Sequence, residues 1–128
     1  MALSADLVLN PNGFGGANAA TTYSFVTESN QKAIRRVTAT ALTSPQTLTI
    51  QHQERKNGAV LSDSHQIRVD LNKVDTILGT VTASAWLVVS LPRGQTAITA
   101  ADIKDLVGHV VHAWVTTGNA DKILAGES

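Results

Sequence analysis

Hydrophobic and polar residues alternate over most of the first 92 residues, in short runs that turn residues separate. A period of two is typical of antiparallel strands with one apolar and one polar face. The pattern predicts strands over 5–9, 21–26, 34–42 and 47–56, a partner strand after residue 58, and a strand that ends at Pro92. The first two strands would form an N-terminal hairpin within 1–28, and the others an antiparallel sheet of about five strands within 33–92.

One hairpin in this sheet has a register that the structure can test. Asn57 and Gly58 are the residue types of a type I′ turn, so the chain is expected to fold straight back there. Pairing of Lys56 with Ala59 keeps apolar residues opposite apolar ones and polar residues opposite polar ones. The pairs that follow are Leu48 with Ile67, Thr49 with Gln66, and Thr47 with Arg68. The later segment 73–79 is predicted to be a connecting loop.

Beyond residue 92 the spacing of the apolar residues changes from two to about 3.6, which predicts one long helix. Thr99 and Asp102 have the spacing of a capping box at its start, and Gly118 is expected as its C-cap glycine. Asn119 is expected to cap a shorter helix through residue 124, so that helices occupy 99–125. The apolar stripe of the long helix consists of Ile103, Leu106, Val107, Val110, Val111 and Trp114.

This arrangement has more apolar sheet surface than one helix can cover. Five strands at roughly 4.8 Å spacing make a sheet about 24 Å wide, whereas a helix covers a band only about 10 Å across. Exposed strips of Leu, Val and Ile on a soluble protein mark an interface. The sequence therefore predicts an obligate dimer in which each helix packs partly over the other subunit's sheet.

Composition narrows the class of protein further. The 128 residues fit a single globular domain, since 43% are hydrophobic and only 16% are charged. Ten basic and ten acidic residues cancel, so any site for a polyanion must be local. The absence of cysteine excludes disulfides, thiolate catalysis and cysteine metal sites. The chain has neither the pattern of a signal peptide nor an apolar run long enough for a membrane span, so we expect neither export nor insertion.

Trp86 is a large aromatic residue that the alternation places on the polar face, beside Ser84 and Ser90. The rest of that face carries Thr, Gln and Arg, which can hydrogen-bond bases and phosphates. An exposed indole on a rigid sheet can stack on unpaired bases, at about 1 to 3 kcal/mol per base. The alternative is that Trp86 packs against another element, since a solvated sheet face normally carries such polar residues. The basic pair Arg35 and Arg36 is expected on a solvated strand edge.

Other motifs do not point to catalysis or to a cofactor. GFGGAN joins two predicted strands instead of opening a helix, and it lacks the lysine of a phosphate-binding loop. His109 and His112 have a metal-ligand spacing but no third ligand nearby in the chain. His52 and His65 are expected at the sheet margin on the apolar side. Because no nucleophile elbow or carboxylate pair is recognisable, no enzyme, metal or cofactor is predicted.

Four segments, with the order of the elements, carry a resemblance to a known family. They are TLTIQHQER, HQIRVDLNKV, ASAWLVVSLP, and TAADIKDLVGHVVHAW as the long helix. The chain resembles the coat proteins of single-stranded RNA bacteriophages of the levivirus type over nearly its whole length. The resemblance rests on architecture, because this family has no compact signature motif. It implies an α+β fold and an intertwined homodimer, with a continuous sheet and helices that pack on the partner.

The resemblance also implies a function. Dimers of this family assemble into an icosahedral shell, so we expect a virion protein that assembles in the cytoplasm of a bacterial host. The polar sheet face would line the interior and bind genomic RNA, and in several members it binds a hairpin that represses replicase translation. Two departures from the family weaken these expectations, the first for neutralisation of the genome and the second for recognition of a hairpin. They are the zero net charge and the glutamines at positions 51 and 53.

Individual residues receive roles from the same resemblance. The RNA-facing positions would be Thr49, Gln51, Gln53, Gln66, Arg68 and Trp86, with Arg36 and Arg55 as phosphate partners. The loop around the symmetry axes of the shell would consist of Lys73, Val74, Asp75, Thr76, Ile77, Leu78 and Gly79. The apolar stripe of the long helix would lie in the dimer interface. Two alternatives stay open: a dimeric RNA- or ligand-binding module that forms no shell, and an enzyme with a pocket between helix and sheet.

Overall fold

The computed structural model describes residues 6–9 and 20–127. They group into a sheet unit, residues 6–9 and 20–93, and a helical unit, residues 94–127. The strands are β1 (Leu7–Leu9), β2 (Thr21–Ser29), β3 (Lys32–Val37), β4 (Gln46–Asn57), β5 (Val60–Asp75) and β6 (Gly79–Pro92). The helices are α1 (Ala100–Val115) and α2 (Asn119–Leu124). The predicted α+β class, with strands first and helices last, is confirmed.

All described strands belong to one antiparallel sheet in which each strand pairs with its neighbours in sequence, from β1 to β6. The predicted N-terminal hairpin pairs as expected, and its two strands extend the same sheet to six strands. The glycine-rich segment GFGGAN and Ala5 lie outside the described residues. Consecutive antiparallel pairing gives the whole sheet the two distinct faces that the alternation predicts.

The turn between β2 and β3 differs from its prediction. Asn30 and Gln31 have φ angles of 50° and 61°, so both adopt the left-handed conformation of a two-residue hairpin turn. Pairing therefore begins at once, with Ser29 opposite Lys32. The predicted strands ended too early at residue 26 and began too late at residue 34. The turn was not predicted from the sequence because its second left-handed position carries glutamine instead of glycine.

The end of β3 also differs from its prediction, since the strand ends at Val37 instead of continuing to Leu42. Thr40 folds back on Val37: its amide and its hydroxyl both donate to the Val37 carbonyl, at 3.1 and 2.6 Å. The same hydroxyl accepts the backbone N–H of Gln46 at 3.2 Å. Threonine side chains form such local bonds in turns, so the apparent alternation in this segment belongs to a loop.

The β4–β5 register is shifted by two residues from the predicted one. Asn57 pairs with Val60, which makes Gly58 and Ala59 the turn. Only Gly58 of these two has a positive φ, 62°, as in a type II′ turn with glycine first. The observed pairs are Leu48 with Val69, Thr49 with Arg68, and Thr47 with Asp70. The predicted pairs were therefore wrong, but an even shift leaves every side chain on its predicted face.

The predicted loop over 73–79 is mostly strand. β5 continues to Asp75 and β6 begins at Gly79, so only residues 76–78 form the turn. The Asp75 carboxylate accepts the backbone N–H groups of Ile77 and Leu78, each at 2.8 Å. These two bonds, that from Leu78 first, hold the pKa of Asp75 below its ordinary value. The turn thus presents two apolar side chains at the end of a long two-stranded ribbon.

The core of the sheet unit lies on the apolar face, where Tyr23, Val37 and Leu48 are buried and Leu7 and Val69 pack against them. The phenol of Tyr23 accepts a 2.6 Å hydrogen bond from the side chain of Gln46.

Arg35 lies on the same face and is only 2% exposed, with its guanidinium 5.8 Å from the ring centroid of Phe25. The prediction of a solvated edge was wrong for Arg35, because β3 is an internal strand.

The helical unit begins with the predicted capping box. Asp102 N–H donates to the Thr99 hydroxyl at 3.3 Å, and Thr99 N–H donates to the Asp102 carboxylate at 2.8 Å. The caps at the other end differ from prediction: α1 ends at a Thr116 C-cap, and Gly118, with φ of 82°, precedes α2. Asn119 is the first residue of α2 and donates to the Ala113 carbonyl at 2.9 Å, so it does not cap α2.

Neither described helix is long and apolar enough to cross a lipid bilayer.

Candidate nucleic-acid interface

The polar face of the sheet contains all eight positions that were expected to face RNA. Cross-strand partners in an antiparallel sheet point to the same side, so the observed register decides which residues share a face. Pairing across β3, β4, β5 and β6 places the following residues together: Arg36, Thr49, Gln51, Gln53, Arg55, Gln66, Arg68 and Trp86. The alternation of the sequence was sufficient for this prediction.

These residues are not equally close to one another. Thr49, Arg68 and Trp86 lie directly opposite one another across β4, β5 and β6. Gln51 and Gln66 form the next row of this face, about 7 Å away along the strands. Arg55 is six residues from Thr49 on β4, about 20 Å away, so it does not belong to the group around Trp86.

Trp86 projects from β6 and is 62% exposed. The guanidinium carbon of Arg68 lies 5.8 Å from the centroid of the indole ring, within the range of a cation–π contact. A large part of the ring remains open to solvent despite this contact. The position has the accessibility that a stacking surface requires.

Arg68 is held by an ion pair and by hydrogen bonds on the same face. Its Nε donates to both carboxylate oxygens of Asp70, at 2.9 and 3.1 Å, and its Nη2 donates to the Ser84 hydroxyl at 3.3 Å. Ser84 in turn donates to Asp70. The hydrogen bond from Ser84, followed by that from Arg68, keeps the pKa of Asp70 below its ordinary value. Asp70 is therefore a carboxylate at neutral pH and compensates the charge of Arg68.

Sequence reasoning missed one basic member of this face, Lys32, and the strand pairing around Asp70. The predicted register paired Thr47 with Arg68, whereas Thr47 lies opposite Asp70. Ser84 lies opposite Asp70 on the other side, so this acid has partners on its own strand and on β6. Lys32 lies opposite Gln51 and is exposed, and it was missed because β3 was expected to begin at residue 34.

The polar face carries more basic than acidic residues. By register, the described strands place four basic side chains and one acidic side chain there: Lys32, Arg36, Arg55, Arg68 and Asp70. The chain as a whole has a formal net charge of zero. The neutral total thus conceals a polar face with an excess of positive charge.

The apolar face carries a separate polar group near the β4–β5 turn. Nδ1 of His52 and Nδ1 of His65 are 2.8 Å apart, so one ring donates a hydrogen bond to the other. Arg93 forms ion pairs with Glu54 at 2.9 Å and Asp63 at 2.6 Å. Its hydrogen bond is the main reason that the pKa of Asp63 is lowered. Over residues 6–9 and 20–127, no three His, Asp or Glu side chains group in a way that could hold a metal ion.

Several large apolar side chains are exposed in the single chain. On the apolar sheet face, Ile67 is 45% exposed, and Leu71 and Val81 are exposed as well. On α1, Val110 is 54% exposed, and Leu106 and Trp114 lie one turn before and after it and are also exposed. At the β5–β6 turn, Ile77 is 90% exposed. The remaining predicted members of the α1 stripe are half-buried: Ile103, Val107 and Val111.

The fold is similar to several solved structures of phage coat proteins. A virus-like particle of Wenzhou levi-like virus 4 superposes with a TM-score of 0.67 at 12% identity, over 87% of this chain and 80% of that one. An unassembled, RNA-binding coat protein dimer of a bacteriophage gives 0.61 at 17% identity, over 96% and 94%. The capsid protein of bacteriophage GA gives 0.57 at 18% identity, over 96% and 95%.

This chain has the coat-protein fold of single-stranded RNA phages. No family model and no curated protein sequence matches it. At these identities the similarity to the coat proteins concerns the fold. The six-stranded antiparallel sheet followed by two helices is the coat-protein architecture that the resemblance implied.

Proposed function

We propose that this chain is the coat subunit of a single-stranded RNA phage, a structural protein and not an enzyme. Residues 1–128 act as one coat-protein domain. Dimers assemble into an icosahedral shell, and the polar sheet face lines the interior and binds genomic RNA. The observation that carries the proposal is the structural match to coat proteins of this fold. The match covers nearly all of this chain and nearly all of the coat protein with which it is compared.

Exposed apolar surface supports the dimer. A soluble monomer rarely leaves large apolar groups in contiguous contact with water. Ile67 in the sheet unit and Val110 in the helical unit are each about half exposed in the single chain, and both belong to apolar stripes. A twofold-related second copy would bury such stripes on both subunits through one self-complementary interface.

The edge of the sheet supports a dimer with a continuous sheet. Among the described strands, β6 pairs only with β5, so its outer edge presents unpaired backbone groups over a 14-residue strand. Long exposed edges are protected in native proteins, because they promote pairing with other chains. Antiparallel pairing of two β6 strands across a twofold axis would satisfy these groups and join the two polar faces.

The charge distribution supports RNA as the partner of the polar face. Four basic side chains against one acid give this face a local positive potential that the neutral total charge does not reveal. Exposed Trp86 adds a stacking surface of the kind used for unpaired bases. We propose that the face binds genomic RNA and also an operator hairpin, whose binding represses translation.

The β5–β6 turn supports contacts between dimers. Ile77 and Leu78 are exposed at its tip, and Asp75 fixes their backbone. A ribbon that ends in two apolar side chains is suited to meet other subunits around a symmetry axis. In this proposal residues 73–79 make those contacts in the virion, which assembles in the cytoplasm of the host.

Expression in bacteria followed by electron microscopy tests the proposed function. We expect uniform shells that protect RNA from nuclease. Soluble dimers that bind RNA but never assemble would favour the alternative of a dimeric binding module. A monomer that binds no RNA would refute the proposal.

A further inference from the structure

Arg68, Asp70, Ser84 and Trp86 form a compact block on two adjacent strands of the polar face. Arg68 lies opposite Trp86, and Asp70 lies opposite Ser84, with one intervening residue on each strand. Asp70 receives hydrogen bonds from both Arg68 and Ser84, while the Arg68 guanidinium lies over the indole. Arg68 therefore contacts the other three members of the block, Asp70 and Ser84 contact each other, and Trp86 contacts Arg68.

This geometry changes what Arg68 can bind. Arginine has five N–H donors in a fixed plane, and Asp70 takes the Nε donor while Ser84 takes one from Nη2. The carboxylate also compensates the charge that would attract a phosphate. A guanidinium whose charge is compensated by a carboxylate, and which is held over an aromatic ring, is better suited to planar partners than to a mobile phosphate.

We propose that Asp70 is a positioning residue that makes this part of the polar face select an unpaired nucleobase over a phosphate. The inference rests on the proposed RNA-binding function. Asp70 holds Arg68 over one side of Trp86, and the exposed part of the indole stacks on the base. The Nη1 donors of Arg68, which form no hydrogen bond within the described chain, remain for acceptor atoms on the base edge.

Other basic residues of the same face are suited to the phosphates. Arg55 and Lys32 are exposed, and neither forms an ion pair within residues 6–9 and 20–127. Lys32 lies on β3, two strands from Arg68, and Arg55 lies on β4, about 20 Å along the strands from the residue opposite Arg68. The polar face would thus make two kinds of contact with RNA. Arg68 and Trp86 would bind a base, and the other basic residues would bind phosphates.

Asp70→Asn provides the test, because it removes the charge of Asp70 while keeping its size. The probes are a single-stranded oligoadenylate and a blunt RNA duplex with the same number of phosphates. We expect wild-type protein to prefer the single strand, and Asp70→Asn to lose most of that preference. Because the substituted side chain no longer compensates the charge of Arg68, the guanidinium should also attract a phosphate, which steepens the slope of log K against log salt for the single strand by about 0.7.

Asp63→Asn is the matched control, since Asp63 is also on β5 and pairs with an arginine, but on the opposite face. It should change neither the preference nor the slope. Arg68→Lys, which keeps the charge but lacks the planar group, should reduce the preference without steepening the slope. If the wild-type protein binds RNA and Asp70→Asn matches it in both measures, the role of Asp70 is refuted while RNA binding stands. If the wild-type protein binds neither probe, both proposals fail.

Discussion

At the scale of single residues, Trp86 is the side chain whose exposure most directly suggests a ligand. We expect Trp86→Ala to retain assembly and to weaken RNA binding by about 1 to 3 kcal/mol for each base that stacks on the ring. Filter binding and electron microscopy on the same preparation measure the two effects. Val88→Ala, the next residue on the same face of β6, is the control and should bind RNA like wild type. Unchanged affinity in Trp86→Ala would assign the ring to packing instead.

A second residue, Asp75, gives the β5–β6 turn a pH dependence. Its pKa is lowered by hydrogen bonds from Leu78 and Ile77, so the carboxylate stabilises the turn above the ordinary pKa, about 3.9. That contribution should disappear as the pH falls through the lower pKa of the folded state. Hydrogen exchange should show protection of the Ile77 and Leu78 amides that falls at acid pH.

Asp75→Ala should remove this protection at every pH, whereas Asp75→Asn, which keeps an acceptor oxygen, should retain part of it without the acid transition. Equal protection in wild type and Asp75→Ala at neutral pH would contradict the role of the carboxylate.

Residue positions were predictable from the sequence where alternation alone decides them. Trp86 and Arg68 were placed on the correct face because side chains alternate strictly along a strand. Partners were less predictable, since they depend on the register of neighbouring strands. The contacts of Asp70 with Arg68 and Ser84 required the observed pairing. Burial of Arg35 required knowing that its strand is internal.

At the scale of elements, the β2–β3 turn carries a backbone penalty that can be relieved. Gln31 has φ of 61°, and the left-handed conformation costs a non-glycine residue about 1 to 2 kcal/mol. Glycine removes this cost but loses about 0.5 to 1 kcal/mol through the entropy of the unfolded chain. We expect Gln31→Gly to increase the free energy of unfolding by about 0.5 to 1 kcal/mol, measured by thermal unfolding at fixed protein concentration.

Asn30→Gly is the matched control for this prediction. Asparagine tolerates the left-handed region better than glutamine, so the gain at position 30 should be smaller. A melting temperature of Gln31→Gly at or below that of wild type would show that the turn carries no such penalty.

Turns whose residues are uninformative or misleading explain most differences between predicted and observed elements. The capping box of α1 was predicted correctly because Thr99 and Asp102 act over four consecutive positions. The β4–β5 turn was placed one residue early, since Asn57 and Gly58 resemble a type I′ pair although only Gly58 has a positive φ. Thr40 ends β3 through a hydroxyl contact that no pattern of alternation reveals.

At the scale of the whole molecule, the sequence alone predicts a need for a second copy. The widths of a sheet and a helix and the positions of the apolar residues are sufficient for this prediction. Two further observations support the same conclusion within the separate units. They are the exposed Ile67 in the sheet and the exposed stripe around Val110 in α1. That no second described strand pairs with β6 could not be anticipated, because strand order is not encoded by periodicity.

The stripe of α1 offers the sharpest test of this dependence on a partner. Val110→Asp would place a carboxylate inside the proposed apolar interface, where desolvation of a charge is costly without a compensating partner. We expect loss of soluble dimers, measured by sedimentation, together with loss of the cooperative thermal transition. Asp105→Lys is the control, because residue 105 lies on the side of the same helix opposite the apolar stripe, and its dimers should persist. A Val110→Asp monomer that remains well folded would mean that the sheet needs no cover from a second chain.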